Sequence, residues 1–140
     1  MDIVFVDAAA SAYDPDTPFQ RPLGGSQSAA CYLSTELVKL GHRVTLASRD
    51  AEVKLVRGVH CQPIPVAGDG VLQNADCVVH LGGVHARLAE LTALCRPGTR
   101  HILWTGLAHD QPFVAALAQP EIRALFHGFV APLSEAPLIG

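Results

Sequence analysis

Residues 22–48 read PLGGSQSAACYLSTELVKLGHRVTLAS, and the change of rhythm inside this stretch decides the fold. Over residues 27–40 the apolar side chains Ala30, Leu33, Leu37 and Leu40 recur at helical intervals, and Gly41 stands where a helix is capped. Residues 43–48, RVTLAS, then have strand character. Ahead of the stretch, residues 3–6 form a short β-branched and aromatic run between Asp2 and Asp7, which suits a strand buried on both faces. A loop over residues 8–23, with Pro15, Pro18 and Pro22, separates that strand from the helix. The unit is strand, helix, strand.

The same order repeats further along. Residues 60–66, HCQPIPV, read as a weaker strand interrupted by prolines and followed by a loop with Gly68 and Gly70. Residues 76–81, DCVVHL, form a strand, and Gly82 and Gly83 lead into a helix over residues 84–95 that Pro97 and Gly98 stop. Residues 100–105, RHILWT, are another strand. Two short helices, 112–118 and 121–126, follow on either side of Pro120, and Gly128 precedes a last apolar run at 129–131. Alternating strands and helices argue for a parallel sheet with helices on both faces.

The chain has 140 residues, 49% of them hydrophobic, which suits one domain with a real core and leaves no room for two. A formal net charge of −3 and the lack of Lys/Arg clusters argue against nucleic acid as a partner. The apolar runs are too short for a membrane span, and the start of the chain has neither a basic segment nor a cleavage site, so a cytoplasmic location is expected. Cys31, Cys61, Cys77 and Cys95 are widely spaced in apolar segments and read as buried free thiols. Residues 1–130 form the expected domain, and residues 131–140, with two prolines and little charge, read as an atypical tail and a point of truncation.

In an open parallel sheet, ligands sit beyond the carboxyl ends of the strands. The loop RPLGGSQS joins such an end to a helix N-terminus, where Gly24 and Gly25 would let an anion approach the amides of Gly25, Ser26 and Gln27. The alternative is a tight turn with Ser26 as an ordinary N-cap. Neither a G-x-G-x-x-G fingerprint nor a Gly-Lys-Ser/Thr phosphate loop is present. Two further loops should face the same crevice. One carries His80, Gly82, Gly83 and His85, and the other Thr105, Gly106, His109 and Asp110. Asp110 also suits a helix N-cap, and His80 suits a hydrogen-bonded core position. His109 has no apolar pattern to serve and points to function. His60, His101 and His127 have no partner at metal-ligand spacing, so no metal site is expected.

PLGGSQSAACYLSTELVKLGHRVTLAS, then ADCVVHLGG, then WTGLAHDQP, resemble the N-terminal domain of GT-B fold glycosyltransferases, close to glycosyltransferase family 4. The resemblance covers residues 1 to about 130 and rests on the spacing Gly-Gly, helix, Gly-His, strand. It implies a Rossmann-like open sheet as the acceptor-side half of an enzyme that moves a sugar from a nucleotide-sugar to an acceptor hydroxyl, with retention, no required metal and no permanently bound cofactor. Gly24 and Gly25 match the family's loop near the donor diphosphate and the acceptor. His109 matches a histidine that contacts the transferred sugar, although GLAHD is longer than the usual link. The family has a second, nucleotide-binding domain with a pair of glutamates, which this chain lacks, so the 140 residues alone are expected to be inactive. Two other classes remain open. One is a free-standing nucleotide or dinucleotide-binding module with Asp50 on a ribose, and the other a domain that only binds a partner or carbohydrate.

Overall fold

The computed structural model describes residues 1–66, 70–81 and 88–104 and the backbone of 128–130. Among these residues seven strands form one sheet: β1 Asp2–Ser11, β2 Arg43–Arg49, β3 Lys54–Val56, β4 Val59–Gln62, β5 Cys77–Leu81, β6 Arg100–Trp104 and β7 Gly128–Val130. Their order across the sheet is β3-β4-β2-β1-β5-β6-β7. All pairings are parallel except β3 with β4. With β3 set aside, the parallel strands run 3-2-1-4-5-6 in chain order, the doubly wound arrangement. The direction of winding reverses between β1 and β5, which makes the carboxyl ends of those two strands the place to look for a site.

Two α-helices are described, α1 Gly25–Lys39 and α2 Leu88–Ala93, and they cover opposite faces. Ala30, Cys31, Leu37 and Val38 of α1 pack with Ile3, Phe5, Val44, Leu46 and Val59. Leu91 of α2 joins Val4, Val6, Leu72, Ala75 and Val78. The alternation within β1, odd residues to one face and even residues to the other, is why the strand is apolar throughout residues 3–6. α1 ends as its sequence predicts: Gly41 takes φ +95, its N–H donates to Val38 O, and the His42 N–H reaches Leu37 O. These two bonds form a Schellman motif, which gives the Gly-His pair a structural meaning.

The structure differs from the sequence reading in three places. β1 continues to Ser11 through three alanines, with its register to β2 broken between Asp7 and Ser11, where a loop is expected from residue 8. Alanine has little strand preference, so neighbours decide this segment. β3, only three residues long with Lys54 and Leu55 exposed, makes the sheet mixed rather than purely parallel. It is joined to β4 by a tight turn in which Arg57 and Gly58 both have positive φ, as a type I′ hairpin requires. A Cβ on Gly58 would lie 2.6 Å from Val38 Cγ1, so the hairpin also packs closely on α1. Finally, the strand expected over residues 60–66 is Val59–Gln62, closed by Pro63.

The described part of the helix expected at 84–95 is α2; its start, both helices expected over 112–126 and the tail at 131–140 lie outside the described residues. Among the described residues no helix is long and apolar enough to cross a membrane.

Candidate functional site

Gly24 is the N-cap of α1 with φ −59 and ψ 158, and Gly25 is its first residue. Neither adopts the left-handed conformation that demands glycine. A Cβ on Gly25 would meet nothing within 4 Å, and one on Gly24 would touch only the flexible Gln27 side chain. The turn therefore does not need its glycines, and Ser26 lies inside the helix rather than capping it. What the two glycines do leave is open approach to the first amides of α1.

Gln27 organises this terminus. Its Oε1 accepts the Gly24 N–H at 3.2 Å, and its Nε2 donates to Asp7 Oδ2 at 3.5 Å. Gly24 has no side chain with which to return a bond, so the helix start has half of a capping box. The amides of Gly25, Ser26 and Gln27 are accordingly those that an intrahelical bond cannot satisfy.

Beneath Gln27 lies a buried polar cluster that sequence reasoning missed. Asp7, 2% exposed at the carboxyl side of β1, accepts the Tyr13 hydroxyl at 2.9 Å and the Ala10 N–H at 3.1 Å. Burial, followed by the neighbouring Asp7 charge, pushes the Tyr13 hydroxyl far above its usual range, so it stays a donor. The sequence shows Asp7 only as the polar end of an apolar run. The break in register after Asp7, beyond which the Ala10 N–H and the Tyr13 hydroxyl return to its carboxylate, has no sequence signature.

The loop beyond Tyr13 is tied down. Lys54 Nζ lies 2.8 Å from Asp14 Oδ2, Arg57 Nε lies 2.5 Å from Asp16 Oδ1, and the Arg57 guanidinium sits 4.7 Å from the centre of the Phe19 ring. Between this loop and the end of β2 is a cleft of about 360 Å3 whose walls include Tyr13, Arg21, Asp50 and Glu52. Asp50, the residue after β2, has φ +59 and is exposed.

His80, at the carboxyl side of β5, is fully buried, and its Nε2 lies 3.2 Å from His101 Nδ1 with the two rings stacked. The register of β5 with β6 makes these histidines diagonal neighbours, a pairing that no spacing in the sequence shows. The cysteines are free, and burial raises the thiols of Cys31 to about 12 and of Cys61 and Cys95 to about 11. Such thiols are protonated and poor nucleophiles near neutrality. Among the described residues no group of three or more His, Cys, Asp or Glu could hold a metal ion.

The structure thus brings Gly24, Gly25, Ser26 and Gln27 together at the switch point with Asp7 and Tyr13. Gly82, Gly83, His85, Thr105, Gly106, His109 and Asp110 lie outside the described residues. No protein-family model matches the chain, and neither a curated protein nor a solved structure matches it.

Proposed function

We propose that the chain is the acceptor-side half of a nucleotide-sugar-dependent glycosyltransferase, with the α1 N-terminus as an anion site for the donor diphosphate. The observation that supports this reading is the pair of glycines at the switch point, which neither backbone conformation nor packing within the described chain requires. Amides fixed by Gln27 and aligned with the helix dipole would stabilise negative charge that grows on the leaving phosphate. They need no reorganisation to do so. In this reading His109 contacts the transferred sugar, and a separate nucleotide-binding domain supplies most donor contacts.

Inorganic pyrophosphate titrated into the chain should move the amide resonances of Gly25, Ser26 and Gln27 in a saturable way. Gly25→Ala should fold with unaltered or slightly higher stability, because the new methyl meets nothing, yet weaken that binding. If those amides do not respond, the anion site is wrong. Turnover of a nucleotide-sugar by the 140 residues alone would contradict the assignment of half an active site.

One observation favours a second reading, a nucleotide-binding module: Asp50 stands just past β2 beside the 360 Å3 cleft, where such folds place a ribose-binding carboxylate. Residues 12–24 between β1 and α1 weigh against it, being much longer than the tight glycine turn that brings a dinucleotide onto a helix. A titration with NAD in which Asp50→Ala abolishes binding would favour the module.

A further inference from the structure

The second face of the sheet contains a polar region that the proposed transferase site does not use. Strands buried inside a doubly wound sheet are apolar on both faces. On the α1 face this holds across β4, β2, β1 and β5, through Val59, Cys61, Val44, Leu46, Ile3, Phe5 and Val79. On the other face it holds for Val4 and Val6 of β1 and Val78 of β5, while β5 also places the buried His80 there. There the register sets Val4, Thr45 and His60 abreast, with Asp2 and Arg43 in one flanking row and Ala47 and Gln62 in the other.

The cause lies in the connection from β4 to β5. Residues 63–66 and 70–76 cross by turns, and Leu72 and Ala75 are buried against Val4 and Val6. Among the described residues no helix covers β2 and β4 on this side. A cleft of about 330 Å3 remains, with Asp2, Arg43, Thr45, His60, Gln62 and Asn74 in its walls. Its size is at the small end of ligand pockets.

The polar groups there are not spent on the fold. Gln62 Nε2 makes a long 3.4 Å bond to Pro63 O. Among the described residues no hydrogen bond or ion pair engages the side chains of Asp2, Arg43, Thr45, His60 or Asn74. Thr45 is only 8% exposed and is one of the residues that line the cleft. Valine would serve a purely structural role at that position at least as well.

We propose that this cleft is a binding site for a small hydroxyl-bearing anion, a phosphate monoester or a hydroxy acid, separate from the α1 N-terminus. Arg43 offers a two-pronged donor to the anionic group, with His60 as a second donor. Thr45, Gln62 and Asn74 offer hydrogen bonds to hydroxyls, and Asp2 accepts from one of them.

The test is a titration of the full chain with glycerol 3-phosphate, ribose 5-phosphate, malate and, as the bare anion, inorganic phosphate, followed by backbone amide shifts. At least one of the three hydroxylated anions should give saturable shifts at residues 43–45, 60–62 and 70–74, and should bind more tightly than phosphate. Arg43→Gln should weaken it by about tenfold or more, and Thr45→Val by several-fold. Gly25→Ala should leave it unaltered, which separates this site from the α1 terminus. The proposal is overturned if no member of the panel moves those amides, or if the shifts centre on residues 24–27 and survive Arg43→Gln. Either result leaves the transferase reading where its own titration puts it.

Discussion

On the face beneath α1, β2 contributes Val44 and Leu46, both at 0% exposure; on the opposite face, between them in sequence, it contributes Thr45 beside a cleft. The two faces of one strand thus differ more than two separate elements often do. The first is closed by a helix of fifteen residues and has become core. The second, lacking a helix over β2 and β4 among the described residues, keeps the side chains of Thr45 and His60, which form no hydrogen bond or ion pair with any described residue. What covers a sheet face decides its composition, and an uncovered polar stretch on an interior strand marks a place where solvent or a ligand takes the helix's role.

The sharpest way to break this contrast is to mutate neighbours in β2. Leu46→Ala should cost about 2–5 kcal/mol, because a fully buried side chain leaves a cavity under α1. Urea unfolding should show this as a lower midpoint at unchanged slope. A loss below about 1 kcal/mol would mean that the first face is not the close-packed one.

Gly58→Ala should come next, at about 1–3 kcal/mol, because a positive φ and a contact to Val38 both oppose the methyl. The same unfolding measurement checks it, and Val38→Ala in the same chain should recover part of the loss.

The Asp14–Lys54 pair, which ties the loop to the hairpin on the α1 side, should contribute less than about 1 kcal/mol. Burial pushes the Asp14 carboxyl up, but the Lys54 bond and the Asp16 and Thr17 backbone bonds outweigh it and hold the group below the ordinary range. A folded value below the unfolded one means that the stabilisation is present above about pH 4 and is lost as the pH falls through the folded value. Asp14→Asn should therefore narrow the gap between unfolding midpoints measured at pH 6 and pH 3.

The smallest effect belongs to Thr45→Val, within about 0.5 kcal/mol of zero, since its hydroxyl has no partner to lose among the described residues. A cost as large as that of Leu46→Ala would refute the difference between the faces.

Much of this architecture was legible in the sequence. β2, β5, β6 and α1 follow from apolar period and from Gly41, because burial on both faces writes itself into consecutive apolar residues. β3 escaped because it is short and only Val56 of its three residues is partly buried, so it carries little burial signal, and the Arg57–Gly58 turn lacks the usual Asn-Gly. The Gly24–Gly25 terminus could be located from the loop and helix pattern. Its bracing by Gln27 and Asp7 could not, since it depends on the register break after Asp7 and on side-chain contacts distant in sequence. The His80–His101 contact and the row Val4, Thr45, His60 depend on register, and register between parallel strands is set by tertiary packing rather than by any local motif.

The central position of β1 has a consequence for the order of assembly. Its first neighbour, β2, is reached after one helix, whereas its other neighbour, β5, begins at Cys77. Residues 1–62 contain every described strand on one side of β1 together with α1, so that half can close through contacts nearer in sequence than those between β1 and β5, while the other edge of β1 stays open. In that order of assembly β1 would be the template on which β5, β6 and β7 are added in turn. Pulse-labelled hydrogen exchange during refolding should accordingly protect the amides of residues 44–48 before those of residues 77–81 and 100–104.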